Sequence, residues 1–200
     1  MARYNKTRIA PIALILIIVA IAIAALVSLS RAVFFSRQTT TSTQSDTSQS
    51  ELLNTAADRA VRMTVRGRIV ADENFRSYQI TATSLSRTFI TFAGYLNTQI
   101  GRVALGNNIP AYEELVYALN RANLNKGTEL SGDQNDTRGI CATGRLYRFE
   151  LLKADKTVKT LWTSTCRGSA GSLDANVTQL ASLFTAQIPN AQSLISKIDL

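Results

Sequence analysis

Residues 84–106, SLSRTFITFAGYLNTQIGRVALG, decide the fold, because they can be read two ways. Their Thr, Phe and Ile content favours strand. Their apolar spacing favours helix: Leu85, Phe89, Phe92, Leu96, Ile100 and Val103 fall at steps of four, three, four, four and three. Such a stripe runs down one face of a helix. Ser84 stands where an N-cap belongs and Gly106 where a helix stops. Periodicity is the stronger signal, so the spacing predicts a helix here, with Gly94 and Gly101 as its weak points.

The neighbouring segments are easier to read. Upstream, Val61, Met63 and Val65 alternate with Arg62, Thr64 and Arg66, and Tyr78, Ile80 and Ala82 alternate with Ser77, Gln79 and Thr81. Period-two alternation on both sides of the polar turn Ala71-Asp72-Glu73-Asn74 predicts a β-hairpin. Downstream, Asn108 and Pro110 open a second helix, with Tyr112, Leu115, Val116, Leu119 and Ala122 on its apolar face. Glu113 and Glu114 suit the positive end of that helix and Arg121 the negative end. Residues 125–139, NKGTELSGDQNDTRG, form a polar loop. Its Asp133, Asn135 and Thr137 imitate the start of a calcium loop, but Arg138 replaces the required glycine and no glutamate closes it.

A second hairpin runs from Cys141 to Leu152 and from Thr157 to Cys166, around Lys153-Ala154-Asp155-Lys156. Counting outward from that turn brings Cys141 opposite Cys166, within reach of a disulfide. Val177, Leu180, Leu183, Phe184 and Ile188 then make a helical stripe capped by Asp174 and broken by Pro189. Ala191, Leu194, Ile195 and Ile198 resume as a short terminal helix. The expected order is ββαα-ββα, an α+β layer fold of antiparallel hairpins packed with helices. Each half reads as hairpin then helix, and Arg66-Gly67-Arg68-Ile69 and Thr143-Gly144-Arg145-Leu146 occupy similar places.

The amino-terminal quarter carries a different message. Residues 9–29 hold no charge and are flanked by arginines. As a helix they would be about 32 Å long, the thickness of a bilayer core. The core is longer than that of a secretory signal, although Ala22-Ile23-Ala24 and Ser28-Leu29-Ser30 both resemble cleavage sites. Arg3, Lys6 and Arg8 precede it, so the positive-inside rule keeps residues 1–8 in the cytoplasm and places the remainder outside. The expected organisation is a cytoplasmic tail (1–8), a transmembrane signal-anchor (9–30), a Ser/Thr-rich linker (31–55) and an extracytoplasmic domain (56–200). The lipid bilayer is thus the first expected partner. Ala20, Ala24 and Ser28 share one helix face and form a candidate packing face for a second helix. Residues 36–50, SRQTTTSTQSDTSQS, have nothing apolar to bury and would span about 20 Å as a tether.

Composition narrows the chemistry. The chain has 22 basic and 14 acidic residues, a net charge of +8, two cysteines and no histidine. Residues 1–50 carry five of the basic residues and one of the acidic, so half of the excess belongs to the anchor. No Lys/Arg block stands in the remaining chain, which disfavours nucleic acid as a partner. Without histidine, histidine-dependent triads are excluded, and zinc, copper and haem sites have almost no ligands. No G-x-S-x-G, S-x-x-K or phosphate loop occurs, so neither a catalytic residue nor a cofactor is assigned. Glu150 beside Arg148 reads as half of a cross-strand salt pair. Trp162 and Arg148 are the candidate surface contacts, although a lone tryptophan more often belongs to the core. Asn135-Asp136-Thr137 and Asn176-Val177-Thr178 match the glycosylation sequon, which matters only in a eukaryotic host and only if exposed.

Leu161-Trp162-Thr163-Ser164-Thr165-Cys166, followed by Leu183-Phe184-Thr185-Ala186-Gln187-Ile188-Pro189, resembles a pattern in uncharacterised single-pass envelope proteins of ultra-small candidate-phyla bacteria of the Saccharibacteria kind. The resemblance implies a bacterial surface with one membrane to cross, and no activity. The expected role is therefore a binding module or assembly subunit with a protein partner in the membrane or on the cell surface. A pilin-like filament subunit is the alternative, although the glycine-phenylalanine leader junction and early glutamate of a pilin are missing. A hydrolase working without histidine ranks last.

Overall fold

The structure, a computed structural model, describes residues 48–200. The anchor (9–30) and its Ala20, Ala24 and Ser28 face lie outside the described residues. Among the described residues, no helix is long and apolar enough to cross a membrane.

Six antiparallel strands form one sheet: β1 (Arg59–Arg66), β2 (Arg76–Thr83), β3 (Ser86–Ala93), β4 (Thr98–Gly106), β5 (Leu146–Lys153) and β6 (Lys156–Ser164). Their spatial order is β4-β3-β2-β1-β5-β6. Three helices carry labels: α1 (Ile109–Arg121), α2 (Val177–Thr185) and α3 (Ala191–Ile195). Residues 48–53 form a further helical turn. The α+β class is as expected, but the order is ββββα-ββαα, so the two halves are not the same unit.

The difference is the segment 84–106. It is the hairpin β3–β4, not a helix. Phe89 is buried, but Leu85, Leu96 and Ile100 of the supposed stripe are exposed, Leu96 at 91%. The chain reverses at Gly94–Asn97, where both end residues have positive φ. Steps of three and four arose because the turn, and a bulge that leaves Ile100 unpaired between Gln99 and Gly101, shift the strand alternation out of phase.

One face of the sheet makes the core. Val61, Met63 and Val65 lie opposite Ala82, Ile80 and Tyr78, as the alternation requires, and opposite Leu151, Phe149 and Tyr147 on the other side. Tyr112, Leu115, Val116 and Leu119 of α1 and Leu180 and Phe184 of α2 close over this face. Phe149 and Phe184 meet with ring centroids 5.8 Å apart. Each buried Leu or Phe contributes about 1.5–3 kcal/mol relative to exposure. Asn108 caps α1 by accepting from the Ala111 N–H at 2.9 Å, as anticipated. The cap of α2 is Asn176, which accepts from the Gln179 N–H at 3.0 Å. Asp174, the expected cap, pairs with Lys126 instead.

Residues 48–55 of the expected 31–55 linker are part of the folded domain. Leu52 is fully buried in the core, and Arg59, itself buried, forms ion pairs with Glu51 and Asp58. The Asn125 side chain donates to the Ser48 carbonyl at 2.8 Å. The folded domain therefore includes residues from Ser48 onward.

Candidate binding face

Because the buried residues of α1, α2 and 48–53 all join one side of the sheet, the opposite side is left to the alternate strand positions. Register places Arg62, Thr64 and Arg66 of β1 there, beside Thr81, Gln79 and Ser77 of β2. Thr88 and Ile90 of β3 pair with Thr81 and Gln79, and with Ala104 and Arg102 of β4. Across β1 the same face continues into Arg148 and Glu150 of β5, then Trp162 and Thr160 of β6. The result is a threonine-rich face with four arginines, Arg62, Arg66, Arg102 and Arg148, and one acid, Glu150.

The arginines are unequally matched. Glu150 is buried, and its Oε2 lies 3.6 Å from Arg148 Nε and 3.9 Å from Arg62 Nη1. Its other oxygen accepts from the Thr157 hydroxyl at 3.3 Å. The expected cross-strand pair of Glu150 is therefore present, with Arg62 as its partner, and Arg148 adds a contact along the same strand. Arg62 also donates to Thr81 Oγ1 at 3.4 Å. The Arg66 guanidinium has no carboxylate; it lies 5.3 Å from the centre of the Phe75 ring, which stacks on Tyr95 at 4.1 Å. Burial and the neighbouring Arg148 guanidinium hold Arg66 below its usual pKa. Arg102 is exposed at the outer strand. Asp136, whose field reaches Arg66, is bonded to Arg138, which pulls its carboxyl down to about 2.

Of the two residues singled out as surface contacts, Arg148 is on this face, with its side chain 40% exposed. Trp162 is not a surface residue. It pairs with Arg148 in register but is only 5% exposed, because residues 170–173 fold over it. The Ser172 and Leu173 N–H groups donate to the Trp162 carbonyl at 2.9 and 3.0 Å, and the Ser172 hydroxyl accepts from the Trp162 N–H. This also covers the free edge of β6. On this face, two buried donors make no hydrogen bond among the described residues: Arg148 Nε, whose contact with Glu150 Oε2 is an ion pair too long for one, and Trp162 Nε1.

Cys141 and Cys166 are joined as a disulfide, Cα atoms 5.2 Å apart, just beyond the ends of β5 and β6 rather than within the ladder. The Thr165 N–H to Arg145 carbonyl bond extends the pairing toward them. The hollow lined by Leu124, Phe149, Lys159 and Leu161 is about 10 Å³, room for a water at most. Among the described residues, no cluster of Asp, Glu and Cys could hold a metal ion. Asp133, Asn135 and Thr137 fall on a short 3-10 turn and the loop after it. Of the sequons, Asn176 is engaged as a cap and Asn135 Oδ1 is buried.

Sequence reading found Arg148 but missed the face. Arg62, Arg66, Arg102 and Arg148 are spread over 87 residues and form no block. The available signal was composition within strands: ten of their residues are Lys or Arg and one is acidic. No family model and no curated protein matches the chain.

Proposed function

We propose that this chain is a single-pass membrane protein, N-terminus inside, whose extracytoplasmic domain acts by binding or as a subunit of an envelope assembly. The observation that carries this reading is the arginine-bearing sheet face, where Arg62, Arg66, Arg102 and Arg148 stay partly or fully exposed around buried Thr64, Ser77 and Glu150 and, among the described residues, enclose no cavity for a small substrate. The apolar run at 9–29 and the Cys141–Cys166 disulfide favour the outside placement. A filament subunit is the second reading. It is favoured by β4, an outer strand with no covering segment among the described residues, and by Leu96 and Ile100 exposed beside it.

In-cell crosslinking, detergent extraction and mass spectrometry of the co-purified proteins test the proposal. A stoichiometric membrane or surface partner is the expected result for an assembly subunit. Extended homopolymers crosslinked through β4 would favour the filament. Labelling of single-cysteine variants in the domain only after the membrane is broken would overturn the outside placement.

A further inference from the structure

We infer that the open face binds an extended phosphodiester polymer lacking bases, such as a polyol-phosphate chain, with Arg66 and Arg148 as its central grip. This deepens the binding reading above and rests on it. Arg66 faces Leu146 and Arg148 faces Thr64, so the two arginines are diagonal neighbours on one face of β1 and β5. Such neighbours lie about 7–8 Å apart at the backbone, close enough for both guanidinium forks to reach one phosphate. Neither is saturated: Arg66 has no acceptor among the described residues, and Arg148 Nε is buried without a hydrogen bond. The single carboxylate nearby is shared between Arg148 and Arg62. Two guanidiniums held side by side in partial burial cost free energy that a bound oxyanion would offset.

The rest of the face fits a chain rather than a lone ion. Arg62 stands four residues before Arg66, about 13 Å along β1, and Arg102 lies on the outer strand three ladders away. Between them stand Gln79, Thr81 and Thr88, half-buried neutral groups able to hydrogen-bond phosphate oxygens without adding charge, with the apolar Ile90 next to Arg102. Cations spaced along and across the strands match a repeating anion. Single-stranded nucleic acid needs several aromatic rings in succession, and this face offers one: Trp162 is buried, Phe92 is half-buried, and Tyr95, exposed beside Arg66, already has Phe75 on one side and its hydroxyl bonded to the Val70 backbone.

The test is fluorescence anisotropy on the full chain in nanodiscs of neutral lipid, with a dye-labelled poly(glycerol phosphate) of about twelve units as probe. Binding should weaken with salt at a log–log slope of about −2, as for roughly three neutralised phosphates. Arg66→Gln with Arg148→Gln should weaken it at least tenfold and Arg102→Gln two- to threefold. Lys153→Gln with Lys156→Gln, which removes the same charge from the far turn, should change it less than twofold. The lone Trp162 reports whether each variant is folded, and Arg102, being exposed, tests the face without risk to the core. No binding at 50 mM salt, an equal loss in the Lys153/Lys156 variant, or equally tight binding of poly-glutamate or oligo-dT would each overturn the inference. A protein partner found by crosslinking alongside any of these results would leave the assembly reading standing and remove only the polymer.

Discussion

Ala154 and Asp155 both adopt positive φ, 47° and 63°, at the two-residue turn between Lys153 and Lys156. That is the geometry of a type I′ hairpin, whose twist matches the strands but whose usual residues are Asn and Gly. Alanine there costs about 1 kcal/mol, because its Cβ crowds the following carbonyl. The double substitution Ala154→Asn, Asp155→Gly should raise stability by about 1 kcal/mol, seen as a higher urea midpoint at unchanged slope. An unchanged or lower midpoint would mean that the turn does not set the register. The same scale explains Gly171. Its φ is +77°, and a Cβ there would come within 2.7 Å of the Trp162 ring and closer still to its carbonyl oxygen. Glycine at this one position lets residues 170–173 lie over the tryptophan, and this is why a candidate surface contact is buried instead. A one-dimensional reading could see the Gly-Ser sequence but not what it would cover.

At the scale of elements, the β3–β4 hairpin shows where periodicity misleads. A helix stripe and two out-of-phase strands give the same spacing when a four-residue turn and one bulged residue separate them. The reliable signal was the local run Thr88-Phe89-Ile90-Thr91-Phe92, five β-branched or aromatic residues in succession. The two readings differ in which residues are buried, and stability reports this directly. Phe89→Ala should cost about 3–5 kcal/mol, as for a buried aromatic in a packed core. Leu96→Ala, at the exposed turn, should change stability by less than about 0.5 kcal/mol. Comparable losses at both positions in urea titrations would restore the helix. The β1–β2 pairing and α1 were legible because each signal was redundant: alternation on both strands, and a cap, a proline and an apolar face on one helix. The arginine face was not legible, because register between strands distant in sequence creates it.

For the whole molecule, the outcome of burying tyrosine hydroxyls between helix and sheet can be read in its response to pH. Tyr78 of β2 and Tyr112 of α1 are both buried in the core, and burial pushes both phenols well above their ordinary value of 10. A group whose folded pKa is raised holds its proton longer in the folded state. Its contribution to stability is complete below pH 10 and declines as the pH rises toward the folded value. Each tyrosine lowers stability by about 1.4 kcal/mol per pH unit in that window, and two do so together. With domain stabilities of about 5–15 kcal/mol, the fold should survive moderate alkali and then fail cooperatively. A spectrophotometric titration at 295 nm follows the ionisation directly. Tyr78 and Tyr112 should ionise only with the shift in Trp162 emission that marks unfolding. Phe replacing Tyr112 should move that shift to higher pH, because it removes one of the two ionisations that drive it. Smooth ionisation of Tyr78 and Tyr112 near pH 10, with Trp162 emission unchanged, would mean that α1 does not seal the sheet, and the two-layer core would have to be redrawn.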